Sequence, residues 1–144
     1  MTTKNHWDDV YGRKRADEVS WFRPHLDISL DFIRTAALPH DARIVDVGGG
    51  ASTLVDDLLA LGYTNLAVAD IAESAIEVSR ERLGSRAKDV DWIVGDITSS
   101  LIPPSSVDFW HDRAVFHFLV NENTRAAYIS QVARSVKGGG RVMV

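Results

Sequence analysis

The chain of 144 residues is long enough for one domain with a sizeable core, and 45% hydrophobic with 25% charged residues is ordinary globular composition. It contains no cysteine, which excludes a disulfide framework, a thiolate metal site and a cysteine nucleophile; a formal net charge of −4 argues against a sequence-independent grip on nucleic acid. No run approaches the ~18–20 apolar residues of a membrane span and no secretory leader is visible, so a cytoplasmic enzyme or binding domain is expected.

Residues 1–23 are polar with spaced aromatics, Trp7, Tyr11, Trp21 and Phe22, and Trp7 and Tyr11 lie four apart as on one helix face. This segment reads as a lid ahead of a core spanning residues 24–144. Pro24 suits a first helical turn, and Leu26, Leu30, Ile33 and Ala37 form an apolar stripe that Leu38-Pro39 ends. The β-branched run Arg43–Val47 then breaks into Gly48-Gly49-Gly50, and Leu54, Leu58 and Leu61 recur at helical spacing. That is strand, tight turn and helix. Glycines there let the backbone take positive φ and touch a ligand, beside the unpaired N–H groups of a helix start.

Residues 65–70 read as a second strand. Ala72, Ile76, Ser79 and Leu83 mark a helix closed by Gly84. Strand three spans Val90 to Val94, a proline-containing loop fills 101–106, and a short fourth strand, 107–110, runs into His111-Asp112-Arg113. A helix over 125–136 points Tyr128, Ile129, Val132 and Val136 inward; Lys137–Gly140 turns the chain into a fifth strand, 141–144. Strands alternating with helices predict an α/β, Rossmann-like doubly wound fold with a mostly parallel sheet.

In such a sheet, ligands bind at the carboxyl ends of the strands. Asp46, Asp70, Asp96 and Asp112 all fall at or just beyond those ends. One such aspartate is usually a cap or turn residue; four beside a glycine turn point to a site. Asp70 lies about 20 residues past the turn, where a carboxylate accepts both hydroxyls of an adenosine ribose. A dinucleotide fingerprint starting at Gly48 needs glycine at position 53, where this chain has Thr53, and no Lys-Ser/Thr pair follows the glycines as in a triphosphate loop. A ligand without phosphates fits better. No paired ligand spacing suggests a metal.

Asp46-Val47-Gly48-Gly49-Gly50 resembles the first motif of class I S-adenosylmethionine-dependent methyltransferases, with Ser52 in place of a frequent third glycine. Asp70 with Ile71 is similar to the family's ribose-binding position, Gly95-Asp96-Ile97 to its adenine-side acidic motif, and Val136–Gly140 to the turn before strand five. The resemblance implies S-adenosyl-L-methionine as cofactor, held by Asp46, Gly48, Gly49, Gly50, Asp70, Ile71, Asp96, Ile97 and Trp21. It also implies methyl transfer to a small-molecule or protein side-chain nucleophile; from the net charge and the lack of an apolar span, no nucleic acid or membrane partner is expected. The Trp7/Tyr11 and Ser20-Trp21-Phe22 segments resemble thiopurine-type enzymes and elongation-factor lysine methyltransferases, in which the leading segment folds over the cofactor. Trp110–Ala114 stands where those groups keep substrate-side residues, so Asp112, His111 and His117 are candidate bases if the acceptor is an ammonium. The alternatives are a binding domain without turnover, and an NAD(P)-dependent reductase, because Asp70 suits either cofactor. Family members continue past strand five, so the chain reads as truncated there, with a strand edge open to self-association.

Overall fold

A computed structural model describes residues 27–49, 52–99, 101–112, 115–116 and 119–144. The expected lid, with Trp7, Tyr11, Trp21 and Phe22, lies outside the described residues, as do Gly50, Arg113, Ala114 and His117. The elements are α1 (Asp27–Thr35), β1 (Arg43–Val47), α2 (Leu54–Ala60), β2 (Asn65–Asp70), α3 (Glu73–Leu83), β3 (Val90–Val94), β4 (Val107–Asp112), α4 (Glu122–Ser135) and β5 (Val136–Met143). Five strands in the order β3-β2-β1-β4-β5, every neighbouring pair parallel, make the expected doubly wound sheet. Among the described residues no helix is long and apolar enough to cross a membrane.

Strand side chains alternate between faces, and this alternation builds two cores. Ile44, Leu66, Val68 and Phe109 pack on one face with Leu30 and Ile33 of α1, Leu54 and Leu58 of α2, and Ile76 and Leu83 of α3. Val45, Val47, Ala67, Ala69 and Trp110 pack on the other with Ile97, Ile102 and Tyr128 of α4. The same alternation carries the polar residues: Asp46 and His111 fall on the α1 side, and Asp112 falls on the α4 side with Trp110 and Tyr128.

Several boundaries differ from the sequence reading, each for a physical reason. Gly84, at φ 59, does cap α3, but a 3₁₀ turn over Gly84–Asp89 continues to β3. Helix α4 starts earlier, at Glu122, because Asn121 accepts the Asn123 N–H through its side chain at 2.7 Å. Ile129 is 58% exposed rather than inward; the buried face follows its neighbour Tyr128, at 2%. Residue Val136 leaves the helix and opens β5. Val107 pairs with Val136 and Phe109 with Arg141, so Lys137–Gly140 forms an irregular bulge inside a strand rather than a turn before one. Gly140 is required there, since a Cβ would lie 2.9 Å from the Lys137 carbonyl oxygen and 2.6 Å from Val136 Cγ1.

Candidate functional site

The glycine turn leaves β1 between the ends of β2 and β4. Gly48 has φ +72, its N–H donates to the Ala69 carbonyl at 2.6 Å, and a Cβ on it would strike Val115 Cγ2 at 2.1 Å. Gly49 lies directly over the Asp46 carboxylate, with its missing Cβ 2.1 Å from Oδ2. A Cβ would collide at both positions, with the loop after β4 at Gly48 and with Asp46 at Gly49, and at Gly48 the positive φ adds backbone strain. Ser52 donates its N–H to the Gly49 carbonyl at 2.9 Å, and its Oγ accepts the Leu54 N–H at 3.1 Å. The serine that replaces a third glycine therefore satisfies the first N–H of α2 from just ahead of its N-cap, Thr53. Arg82 of α3 clamps this corner, with two bonds of 2.8 and 2.9 Å to Asp56 and one of 2.8 Å to the Ser52 carbonyl.

Beneath the turn, Asp46 is 3% exposed and its Oδ1 lies 2.8 Å from His111 Nδ1. His111, 1% exposed, meets Ser29 Oγ at 2.8 Å through Nε2. Among the described residues, the buried Asp46 Oδ2 has no hydrogen-bond partner. The order serine, histidine, aspartate matches a nucleophile chain, but Ser29 is 6% exposed and gives a substrate carbonyl no approach. What the arrangement offers is a buried carboxylate directly under Gly49, one oxygen held by His111 and the other without a partner among the described residues.

Asp70, half-buried at the end of β2, accepts the Ala72 N–H at 2.8 Å and so helps start α3, whose N-cap Ala72 has no capping side chain. Half-buried Ile71 follows it, and the Asp70 carbonyl accepts the Gly95 N–H at 3.0 Å, which ties the ends of β2 and β3 together. Asp96 is exposed, and its Oδ1 accepts both the N–H and the hydroxyl of Thr98, at 2.9 and 2.7 Å. Ile97 turns its side chain into the core at 8% exposure. Asp46, Asp70 and Asp96 therefore line the carboxyl ends of three adjacent strands.

Asp112 sits apart on the α4 side. It is 1% exposed and accepts the Val115 N–H at 2.7 Å, the Phe116 N–H at 3.1 Å and the Tyr128 hydroxyl. Trp110 Nε1–H donates to the same hydroxyl at 3.0 Å. This network holds the loop after β4, and Arg125 braces that loop by donating to the Leu119 carbonyl and lying 5.7 Å over the Phe116 ring. Burial, then the charge and hydrogen bond of Asp112, push the Tyr128 phenol above the usual tyrosine range, with Trp110 opposing. A raised folded value contributes stability that is present below the unfolded value of about 10 and is lost above it, because the unfolded chain ionises first. Stability should fall above about pH 10, by up to ~1.4 kcal/mol per pH unit, and Tyr128→Phe should flatten that slope. Urea midpoints near pH ~9 and ~11 check it, and equal slopes in both proteins would contradict it.

Ser29, Arg82, Val115 and the role of Tyr128 carry no motif in the sequence; they are defined only by partners distant in the chain, 82 residues in the case of Ser29 and His111. Among the described residues no group of three or more histidine or acidic side chains is placed to hold a metal.

The chain is 22% identical over 139 residues to the "eEF1A lysine and N-terminal methyltransferase" of Mus musculus, which covers 96% of this chain and 20% of that protein. It is 28% identical over 91 residues to "EEF1A lysine methyltransferase 2" of Homo sapiens, covering 55% of this chain and 37% of that one. The chain thus spans well under half the length of these curated relatives. The structure of Haemonchus contortus phosphoethanolamine N-methyltransferase 1, in complex with phosphoethanolamine and S-adenosylhomocysteine, superposes with a TM-score of 0.66 at 20% identity, covering 99% of this chain and 32% of that one. That likeness is one of fold. Residues 44–140, from the middle of β1 through the glycine bulge of β5, match the family described as "Methyltransferase domain". The chain belongs to the methyltransferase domain family.

Proposed function

We propose that this domain binds S-adenosyl-L-methionine along the carboxyl ends of β1, β2 and β3 and transfers its methyl group to an amine nucleophile on a protein side chain or a small molecule. The observation that carries the reading is the buried Asp46 Oδ2 beneath Gly49, which has no hydrogen-bond partner among the described residues, beside Gly48 at φ +72. A cofactor with an ammonium and a sulfonium, and without phosphates, suits an anionic cradle of this kind. Asp70 at the end of β2 would accept ribose hydroxyls and Asp96, just past β3, an exocyclic amine. The names of the relatives above concern lysine, N-terminal and phosphoethanolamine amines, which supports an amine acceptor.

When bound, the cofactor supplies a methyl group already activated by its sulfonium, so the chain's own residues mainly position the two reactants. His111 and Asp112 present no exposed oxygen or nitrogen edge to an acceptor, and we assign them to holding Asp46 and the loop after β4 respectively. A second reading, binding without turnover, is separated from the first by assay. Transfer of labelled methyl from S-adenosylmethionine to lysate protein or to small amines is expected; saturable cofactor binding with no transfer to either would favour the second reading. Asp70→Ala should weaken cofactor affinity by roughly 1.5–3 kcal/mol for each ribose bond lost. An unchanged dissociation constant, measured by calorimetry, would leave Asp70 as only a cap for α3.

A further inference from the structure

Val115 stands where the loop after β4 meets the glycine turn. A Cβ on Gly48 would fall 2.1 Å from Val115 Cγ2, so that methyl fills the space a side chain at position 48 would take. Asp112 fixes Val115: its Oδ1 accepts the Val115 N–H at 2.7 Å and its Oδ2 the Phe116 N–H at 3.1 Å. Asp112 is in turn held from α4. An ionised carboxylate only accepts, so the Tyr128 hydroxyl gives its proton to Oδ2 and takes the Trp110 Nε1–H, at 3.0 Å, on its oxygen. The hydroxyl is thus filled as donor and as acceptor, and its direction is set. Arg125, three residues earlier on the same face of α4, donates to the Leu119 carbonyl and lies 5.7 Å over the Phe116 ring. The Phe116 and Tyr128 rings pack with centroids 5.1 Å apart. One helix face therefore holds the loop at Asp112, Phe116 and Leu119. The contacts start in the buried core and end on the backbone of the turn.

We infer that Tyr128 is a positioning residue for the cofactor turn: by orienting Asp112 it sets how Val115 rests on Gly48, and with it the affinity of the turn for S-adenosylmethionine. This rests on the S-adenosylmethionine reading above. Part of the control of cofactor binding then lies in α4, on the sheet face opposite Asp46 and His111. Trp110 and Tyr128 are 0% and 2% exposed, so a ligand on the turn reaches neither directly, and any effect between them passes through the loop. Such coupling is reciprocal, so a ligand on the turn should be felt at Trp110.

The test is a double-mutant cycle of Tyr128→Phe and Val115→Ala in the 144-residue protein, read as S-adenosylhomocysteine affinity by calorimetry. Tyr128→Phe keeps the ring and removes the hydroxyl; Val115→Ala removes the methyl groups that rest on Gly48. Each single change should weaken binding about three- to tenfold. In the Val115→Ala background, Tyr128→Phe should add less than about twofold, because the contact through which it acts is gone. A second measurement needs no change at Tyr128. The indole N–H resonance of Trp110 should shift at saturating S-adenosylhomocysteine in the wild-type chain and stay in place in Val115→Ala. A residue that only stabilises the fold would give neither the coupling nor the ligand-dependent shift. If Tyr128→Phe does not fold, the Trp110 resonance decides. Full affinity in Tyr128→Phe, an equal loss in both backgrounds, or a Trp110 resonance unmoved by ligand would overturn the inference while leaving the cofactor reading intact. A wild-type chain that binds no S-adenosylhomocysteine would overturn the cofactor reading and the inference with it.

Discussion

Gly48→Ala should remove most of the domain's affinity for S-adenosylhomocysteine, and adding Val115→Ala should return part of it. The alanine would sit at φ +72, and its Cβ would overlap Val115 Cγ2 at 2.1 Å. Left-handed backbone costs a non-glycine residue ~1–2 kcal/mol, and overpacking a fixed site a further ~1–3 kcal/mol. If the turn opens while the sheet holds, the combined cost is on the order of a hundredfold in affinity. Val115 Cβ stands 3.6 Å from the same point, an ordinary contact, so trimming the valine to alanine clears the collision and leaves the backbone strain. The double variant should therefore recover the packing share only. Calorimetry gives the affinities, and a thermal melt shows whether the sheet survives. Full affinity in Gly48→Ala would mean that the turn does not cradle the ligand.

Asp112→Ala should be among the most destabilising single changes in the domain, at ~3–5 kcal/mol, comparable to breaking a buried charged pair. The carboxylate is 1% exposed and accepts from two backbone N–H groups and the Tyr128 hydroxyl, all of which would lose their acceptor. Against a typical total of ~5–15 kcal/mol this is a large fraction. Asp112→Asn keeps one acceptor oxygen and should lose roughly half as much. Urea midpoints at neutral pH read both. A different outcome, stability near wild type with turnover abolished, would return Asp112 to the role of a base at the acceptor, the role that the resemblance implies.

The sheet is legible because β1 to β4 carry short runs rich in apolar residues bounded by glycine, aspartate or proline, and the order of those runs implies parallel crossovers. The site's acidic edge was legible too, since an aspartate recurs at successive strand ends. What spacing could not show is direction. His111 and Asp112 are neighbours in sequence but point to opposite faces of β4, one toward Ser29 and one toward Tyr128, so they cannot share one pocket. Apolar character alone points Ile129 inward with its neighbours and does not choose between adjacent positions of α4, whereas the Tyr128 hydroxyl bond to Asp112 does. The glycine run before β5 looked like a turn because its composition is that of a turn; the register shift against β4 absorbs it within the strand. Ser29 and Arg82 act through partners 82 and 26 to 30 residues away, and no local pattern marks them.

Calorimetric titration of the 144-residue chain with S-adenosylhomocysteine and with NAD distinguishes a turn built for S-adenosylmethionine from one built for a dinucleotide. Saturable binding of S-adenosylhomocysteine is expected, weakened by Asp70→Ala and largely lost in Gly48→Ala, with no saturable heat from NAD. Tight NAD binding with no heat from S-adenosylhomocysteine would contradict it.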